Sequence, residues 1–281
     1  MLGPQYERAL LGERCWLRHD DGERVELPVD LWLGHHGADH SFDETVVSLC
    51  TGPTIDLGCG PGRLVAQLIR RGLPALGIDQ SATAVRIANQ RGAPALRGDV
   101  FSALPGEGGW GTVLLVDGNI GLAGDPVRVL ARAARLLAPG GQCLVEFDPA
   151  TSGVKQRRVR LESDSGMGRW FDWASVGLDS ASELTERAGL TLTHTHRVGA
   201  RWVAQVSKRD DRPTTRDGRK TGAGGHRGFS RYGCYRPPDE SSRLRVEHKQ
   251  CVRGGVSACA AGEVGIGAVG RGPGQLRWWR W

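Results

Sequence analysis

The chain has 281 residues, 39% of them hydrophobic, enough for one domain of ordinary size and a remainder. Its formal charge of +6 belongs to that remainder: residues 1–208 hold 22 basic and 24 acidic side chains, whereas 209–281 hold 15 and 7. The nearly neutral main segment carries no sign of a nucleic-acid surface. No apolar run approaches the roughly 18 residues that a membrane span needs, and the charges spread through Met1–Trp16 argue against a secretory signal.

In chain order, the first 50 residues read as a hairpin, Cys15 to Leu27, and a histidine-bearing loop at His35, His36 and His40. From Pro53 to Asp148, short β-type runs alternate with helix-type segments, which predicts a parallel sheet with crossover helices. The first strand, Pro53–Leu57, ends in a glycine-rich turn. A helix over Gly62–Arg71 follows, with Leu64, Val65, Leu68 and Ile69 on one face. The second strand is Ala75–Asp79, and Ser81 caps a helix closed by Gly92. Ala95–Arg97 is a short third strand, and the apolar Thr112–Val116 suits a buried central fourth. Asp125-Pro126 opens a helix with Asp as cap and Pro at its first position. Val127, Leu130, Ala134 and Leu137 are expected on its inner face, and Arg128, Arg132 and Arg135 outside. Pro139-Gly140-Gly141 is expected to end that helix before a fifth strand, Gln142–Phe147.

Beyond Asp148 the pattern changes. Residues 154–162 and 169–176 read as two strands around a turn at Asp164-Ser165-Gly166. Ser180 and Glu183 have capping-box spacing before a helix that stops at Gly189. Runs 190–198 and 201–207 suit an antiparallel pair that finishes the sheet. The tail from Arg209 has no periodicity, and 14 of its 73 residues are glycine, so it is expected to remain disordered. Seven cysteines with no CxxC pair indicate neither zinc nor a disulfide framework, so no metal is expected and a reducing cytoplasm fits.

The decisive stretch is Ile55-Asp56-Leu57-Gly58-Cys59-Gly60-Pro61-Gly62-Arg63. A strand ending in close-spaced glycines and turning into a helix lets backbone atoms approach a ligand, and the helix start offers free N–H groups. Dinucleotide folds want glycine at positions 1, 3 and 6, which would make Arg63 a glycine; here the glycines fall at 1, 3 and 5. No Gly-Lys-Ser/Thr follows, which excludes a P-loop.

This stretch resembles the first motif of class I S-adenosylmethionine-dependent methyltransferases, and the resemblance continues down the chain. Asp79, followed by Gln80, closes the second strand where that family grips the ribose hydroxyls; one carboxylate can accept from both. Gly98-Asp99-Val100-Phe101 is similar to the third motif, whose acid lies near the adenine amino group. Asp117-Gly118-Asn119-Ile120-Gly121 stands where members meet the methionine moiety and the substrate, and Leu137–Gly141 looks like the turn before strand five. The resemblance covers about 52–148 by motif. It implies a three-layer Rossmann-like α/β fold with a seven-stranded, mostly parallel sheet whose last strand is antiparallel.

The implied organisation is an N-terminal cap segment (1–49), a methyltransferase domain (50–208) with a substrate-covering insertion (149–177), and the basic tail (209–281). The implied cofactor is S-adenosylmethionine, held by Asp56, Gly58, Gly60, Gly62, Asp79, Gln80, Asp99, Val100, Asp117 and Asn119. The implied activity is methyl transfer to an O, N or C nucleophile of a small molecule, without nucleic-acid or membrane partners. Alternatives are a non-catalytic cofactor-binding regulator and an RNA methyltransferase using the tail as an arm. The Asp-Gly-Asn-Ile-Gly run departs from the Asn/Asp-Pro-Pro-Tyr form of base- and glutamine-methylating members, which speaks against amino methylation of nucleic acid.

Methyl transfer needs alignment and water exclusion more than a catalytic triad. His36, His40 and Asp117 are the candidates for a base, against solvated loop residues for the histidines. Cys59 reads as small filler rather than nucleophile. Arg157, Arg158 and Arg160 are either an anion contact or a solvated strand face. Trp170, Phe171 and Trp173 either line a pocket over the cofactor or simply pack a flap.

Overall fold

The computed structural model describes residues 3–35 and 40–208; the tail 209–281 and His36 lie outside the described residues. The chain begins with α1 (Pro4–Ala9), the hairpin β1 (Cys15–His19) and β2 (Arg24–Glu26), α2 (Val29–Leu33) and α3 (His40–Leu49). There follow β3 (Thr54–Leu57), α4 (Arg63–Arg70), β4 (Ala75–Asp79), α5 (Ala82–Gln90), β5 (Ala95–Arg97), β6 (Trp110–Leu115), α6 (Pro126–Leu136) and β7 (Leu137–Phe147). The last elements are β8 (Val154–Ser163), β9 (Gly166–Met167), β10 (Phe171–Val176), α7 (Ala181–Arg187), β11 (Leu190–Val198) and β12 (Arg201–Lys208).

Seven strands form the main sheet in the order β11-β12-β7-β6-β3-β4-β5. Neighbours from β5 across to β7 run parallel, and β12 enters antiparallel between β7 and β11. One face is covered by α6 and α7, which pack Leu130, Leu136 and Leu184 against Ile55, Val113 and Val145. The other carries α3 and α4, which bring Phe42, Val46, Leu64 and Leu68 onto Leu114 and Leu144. Burial on both faces is why the central strands read as continuous apolar runs. Helix starts follow the local chemistry: Ser81 Oγ accepts from Ala84 N at 3.1 Å, and Asp125 Oδ1 accepts from Arg128 N at 3.0 Å.

Three local expectations are corrected. The buried stripe of α6 is Val129, Leu130, Ala133 and Leu136, and Arg132 is buried beside it rather than turned to solvent. Its guanidinium donates to the carbonyls of Val100 (2.7 Å) and Ser102 (2.6 Å) and to Glu107 Oε1 (2.8 Å), supplying donors to a loop that makes no ladder of its own. Pro139-Gly140-Gly141 does not end α6. That helix stops at Leu136, Leu137 already pairs with Trp110, and the glycines loop out before pairing resumes at Thr112–Gln142. Ser180 does not cap α7, because it lies with helical backbone in a 3-10 turn, Leu178–Ser180, that leads straight into the helix.

A second sheet has the order β10-β8-β1-β2, with β9 added to β8. It joins the N-terminal hairpin to the insertion after β7, with β1 and β8 antiparallel from Cys15–Ser163 to His19–Val159. Its inner face (Cys15, Leu17, Val159, Leu161) packs with Tyr6, Ala9 and Leu10 of α1 and with Ala84 of α5. Its β10 edge lies on the turn Asn119–Gly124: a Cβ at Gly121 would overlap the Ala174 carbonyl oxygen, and one at Gly124 would come within 2.9 Å of Asp172 Cβ. Gln156 Nε2 donates to Gly124 O at 2.6 Å.

His19, on the same inner face, is buried with neither ring nitrogen hydrogen-bonded. Burial, then the charge of Arg157, holds its pKa below the usual imidazole value, against Glu23, Asp21 and Asp20.

Gly121→Ala is expected to cost about 1–3 kcal/mol, read by urea denaturation, because backbone rather than a movable side chain blocks the added methyl. An unchanged midpoint would mean that β10 does not sit this close. Since the folded state resists protonating His19, the protein should lose stability as the pH falls below the imidazole range. Thermal unfolding at pH 7 and pH 5 should show a smaller acid loss in His19→Leu than in the wild type; equal losses would reject this account.

Candidate functional site

The parallel strands β3, β4, β5 and β6 deliver their C-terminal ends to one side of the sheet, and the second sheet stands over those ends. Between them lies a cleft of about 550 Å³. Asp56, Gly58, Gly60, Asp79, Gln80, Asp99, Val100, Asp117 and Asn119 line it together. Gly62 does not: it packs under α5, where a Cβ would meet Ala88 Cβ at 2.7 Å. His40 begins α3 instead of sitting in a loop; its side chain is 71% exposed, lies 3.3 Å from Glu44, and is not among the cleft residues.

The three glycines of the turn have different reasons. Gly58 (φ 81°) passes under Asn119, whose Nδ2 donates to Gly58 O at 3.0 Å and would stand 2.7 Å from an added Cβ. Gly60 (φ 53°) faces the cleft beneath the Tyr6 hydroxyl and donates its N–H to Asp79 Oδ2 at 2.9 Å. Gly62 (φ 78°) brings α4 against α5. The left-handed backbone at each favours a residue without Cβ.

The carboxylates differ sharply in environment. Asp79 accepts from Gly60 N and, at 2.8 Å, from Ser81 N, and the Gln80 N–H adds to the backbone donors that favour its charged form. Asp99 accepts from Phe101 N at 3.0 Å, which orients that turn. Asp56 is buried, and its Oδ1 has no hydrogen-bond partner. Burial foremost, then Asp117 and Asp79, pushes its pKa up to about 8. A buried acceptor with nothing to accept from is costly unless a donor or a cation arrives. Cys59 also faces inward, toward Val65 and Ala88. Burial and the neighbouring carboxylates Asp56 and Asp79 push its thiol up, the wrong direction for a nucleophile.

Asp117 stands at φ 55° ahead of Gly118 and is held by three partners. Arg63 Nη2 and Arg201 Nη2 each donate to its carboxylate at 2.7 Å, and its own N–H donates to Glu146 Oε2 at 2.6 Å. Arg63 also pairs with Asp43, and Arg201 donates to Glu146 through Nε (2.7 Å) and Nη2 (2.6 Å) while lying over the Phe42 ring. Burial alone would raise the Asp117 pKa; Arg63 and Arg201 outweigh it and hold the group below the usual carboxylate range. A carboxylate so engaged is poorly suited to collect a proton.

Sequence reasoning missed this chain of charges. Arg63 was visible only as the residue that is not glycine, and Asp43 and Arg201 carry no local signal. Tyr6 and Trp32, which also line the cleft, likewise come from the N-terminal segment without a motif.

A folded-state pKa near 8, against about 4 when unfolded, means that the folded protein holds a proton on Asp56 across that interval and loses stability as the pH rises through it. Denaturation at pH 5 and pH 8 should therefore show a smaller loss in Asp56→Asn than in the wild type. Parallel profiles would mean that Asp56 ionises freely.

Residues 55–141 match the family model described as a methyltransferase domain. No curated protein matches. Among solved structures, a methyltransferase from Bacteroides fragilis, determined with S-adenosyl-L-homocysteine, is 18% identical with a TM-score of 0.61, over 72% of this chain and 92% of that one. The PH0226 protein from Pyrococcus horikoshii is 15% identical at TM-score 0.51, over 62% and 92%. The sugar N-methyltransferase KedS8 from a Streptoalloteichus species is 18% identical at 0.50, over 67% and 96%. These likenesses agree with the seven-stranded sheet and its antiparallel last strand. Over the glycine turn and the strands that follow it, residues 55–141, the chain is similar to a methyltransferase domain, and its fold is that of these solved structures.

Proposed function

We propose that the protein transfers a methyl group from S-adenosylmethionine to an O, N or C nucleophile of a small molecule. The observation that carries this reading is the floor of the cleft, where the buried Asp56 has an unpartnered oxygen beside an Asp79 whose two oxygens are already aimed by backbone donors. Asp56 suits a cationic group, since a positive charge would relieve both its burial and its repulsion from Asp117 and Asp79. Asp79 suits a diol, since the two oxygens of one carboxylate can accept from both hydroxyls. Asp99, Val100 and Phe101 suit a flat heterocycle, with Arg128 Cζ 4.0 Å from the Phe101 ring centroid. An ammonium or sulfonium, a ribose and an adenine are the parts of one molecule, and these three stations follow one another along the strand ends.

When bound, S-adenosylmethionine supplies an electrophilic methyl group on a positively charged sulfur. The protein's part is alignment and dryness. Asn119 and Gly58 hold the turn, Asp117 is locked by Arg63 and Arg201, and the second sheet keeps water off the strand ends. The N-terminal segment and the insertion, which together build that sheet, are the parts assigned to choosing the acceptor.

Titration calorimetry of the full chain with S-adenosylmethionine tests this. Asp79→Ala should weaken binding by about 1–3 kcal/mol, the scale of leaving buried donors unpaired. Affinity equal to wild type in a variant that still unfolds cooperatively would remove Asp79 from the site and the proposal with it.

A further inference from the structure

The cleft has two chemically different sides. Its floor is acidic and glycine-lined. Its roof, contributed by α2, β1, β8 and β10, is largely apolar, with Leu17, Leu161, Trp32, Phe171 and Trp173 beside Asp172. Leu17 and Leu161 are buried, but the three aromatic side chains remain half-buried. Their rings are held edge-on by neighbours. Phe171 and Trp173 meet at 6.4 Å and 86°, and Trp32 meets Tyr6 at 5.9 Å and 66°. Such pairs fix the planes of rings that line the cleft.

Cations are accounted for differently. Among the described cleft residues, Arg63 is engaged by both Asp43 and Asp117, and Arg128 lies over the Phe101 ring. On β8, Arg157 pairs with Asp21 at 2.5 Å and reaches Glu23 at 3.9 Å, and Arg160 pairs with Glu162 while stacking on Trp170. Trp170 and Arg160 are thus turned away from the cleft, and the arginine run offers it no anion site. Among the described cleft residues, an anion placed under the roof would find no cation free of a carboxylate except Arg128, which is stacked on Phe101.

We propose that the methyl acceptor is a flat, uncharged aromatic molecule, held between the roof rings Trp32, Phe171 and Trp173 and the acidic floor. The inference rests on the cofactor reading above, which assigns the strand-end side to S-adenosylmethionine and leaves the roof side to the acceptor. An aromatic, and therefore flat, acceptor suits the three half-buried rings, and lack of charge suits a largely apolar roof whose flanking cations Arg157 and Arg160 are already paired with carboxylates.

The test uses the full chain saturated with S-adenosylhomocysteine and three probes of one size. These are 2-naphthol (flat, uncharged), decahydro-2-naphthol (uncharged, not flat) and 2-naphthoate (flat, anionic). Calorimetry should rank 2-naphthol first, about threefold to tenfold tighter than the saturated alcohol, the scale of one aromatic contact. The carboxylate should bind at least tenfold weaker than 2-naphthol. Phe171→Leu should lower 2-naphthol affinity while leaving that for S-adenosylhomocysteine unchanged. Equal or tighter binding of 2-naphthoate, equal binding of the saturated ring, or no binding of 2-naphthol to the loaded protein would overturn the acceptor proposal alone. Failure of S-adenosylhomocysteine itself to bind would instead sink the cofactor reading and this proposal together.

Discussion

Asp117 is the point at which five elements of the chain are tied. The strand β6 ends just before it, and its carboxylate takes one guanidinium from the start of α4 and another from the start of β12. The first guanidinium reaches on to Asp43 of α3, and the second to Glu146 of β7. Buried charges are tolerated only when each is matched, and here every member has at least one partner of opposite sign. The network also constrains backbone, since Asp117 adopts a left-handed conformation and uses its N–H on Glu146. The cleft floor is therefore built on a locked group, and Asp56, with an unpartnered oxygen, is left as the chemically unsatisfied carboxylate beside it.

The roof is a consequence of pairing between segments about 140 residues apart. Neither β1-β2 nor β8-β10 would be stable as a lone hairpin; joined, they bury Leu17, Val159 and Leu161 against α1 and α5. The same joint sheet presses β10 onto Asn119–Gly124, which makes Gly121 and Gly124 packing requirements. The run Asp117-Gly118-Asn119-Ile120-Gly121 thus serves two partners at once. Asp117 and Asn119 face the cleft floor, and Gly121 lets the roof come down. Floor and roof meet on this one short turn.

Much of the architecture could be read from local chemistry. The parallel core follows from apolar runs bounded by glycine turns, and Ser81 and Asp125 announce their helices because a cap is a contact between residues three apart. The bringing together of Asp56, Asp79, Asp99 and Asp117 was foreshadowed by their positions at successive strand ends, since parallel strands connected by crossovers must finish on one side. Arg132 was misread because periodicity says which face a helix buries, not whether a loop nearby lacks donors. His40 was misread as a loop residue, although it begins a helix and lies outside the cleft.

What the sequence alone determined was the order of strands and helices from Pro53 to Asp148, the glycine turn, and the acids at the strand ends, because each is written within a few residues and obeys short-range geometry. Tertiary structure decided which acids are satisfied and which is not, that Arg63 and Arg201 converge on Asp117, and that two distant hairpins make one roof of Trp32, Phe171 and Trp173. Charge pairing and sheet edges act between residues brought close by the fold, so no stretch of the chain carries them by itself.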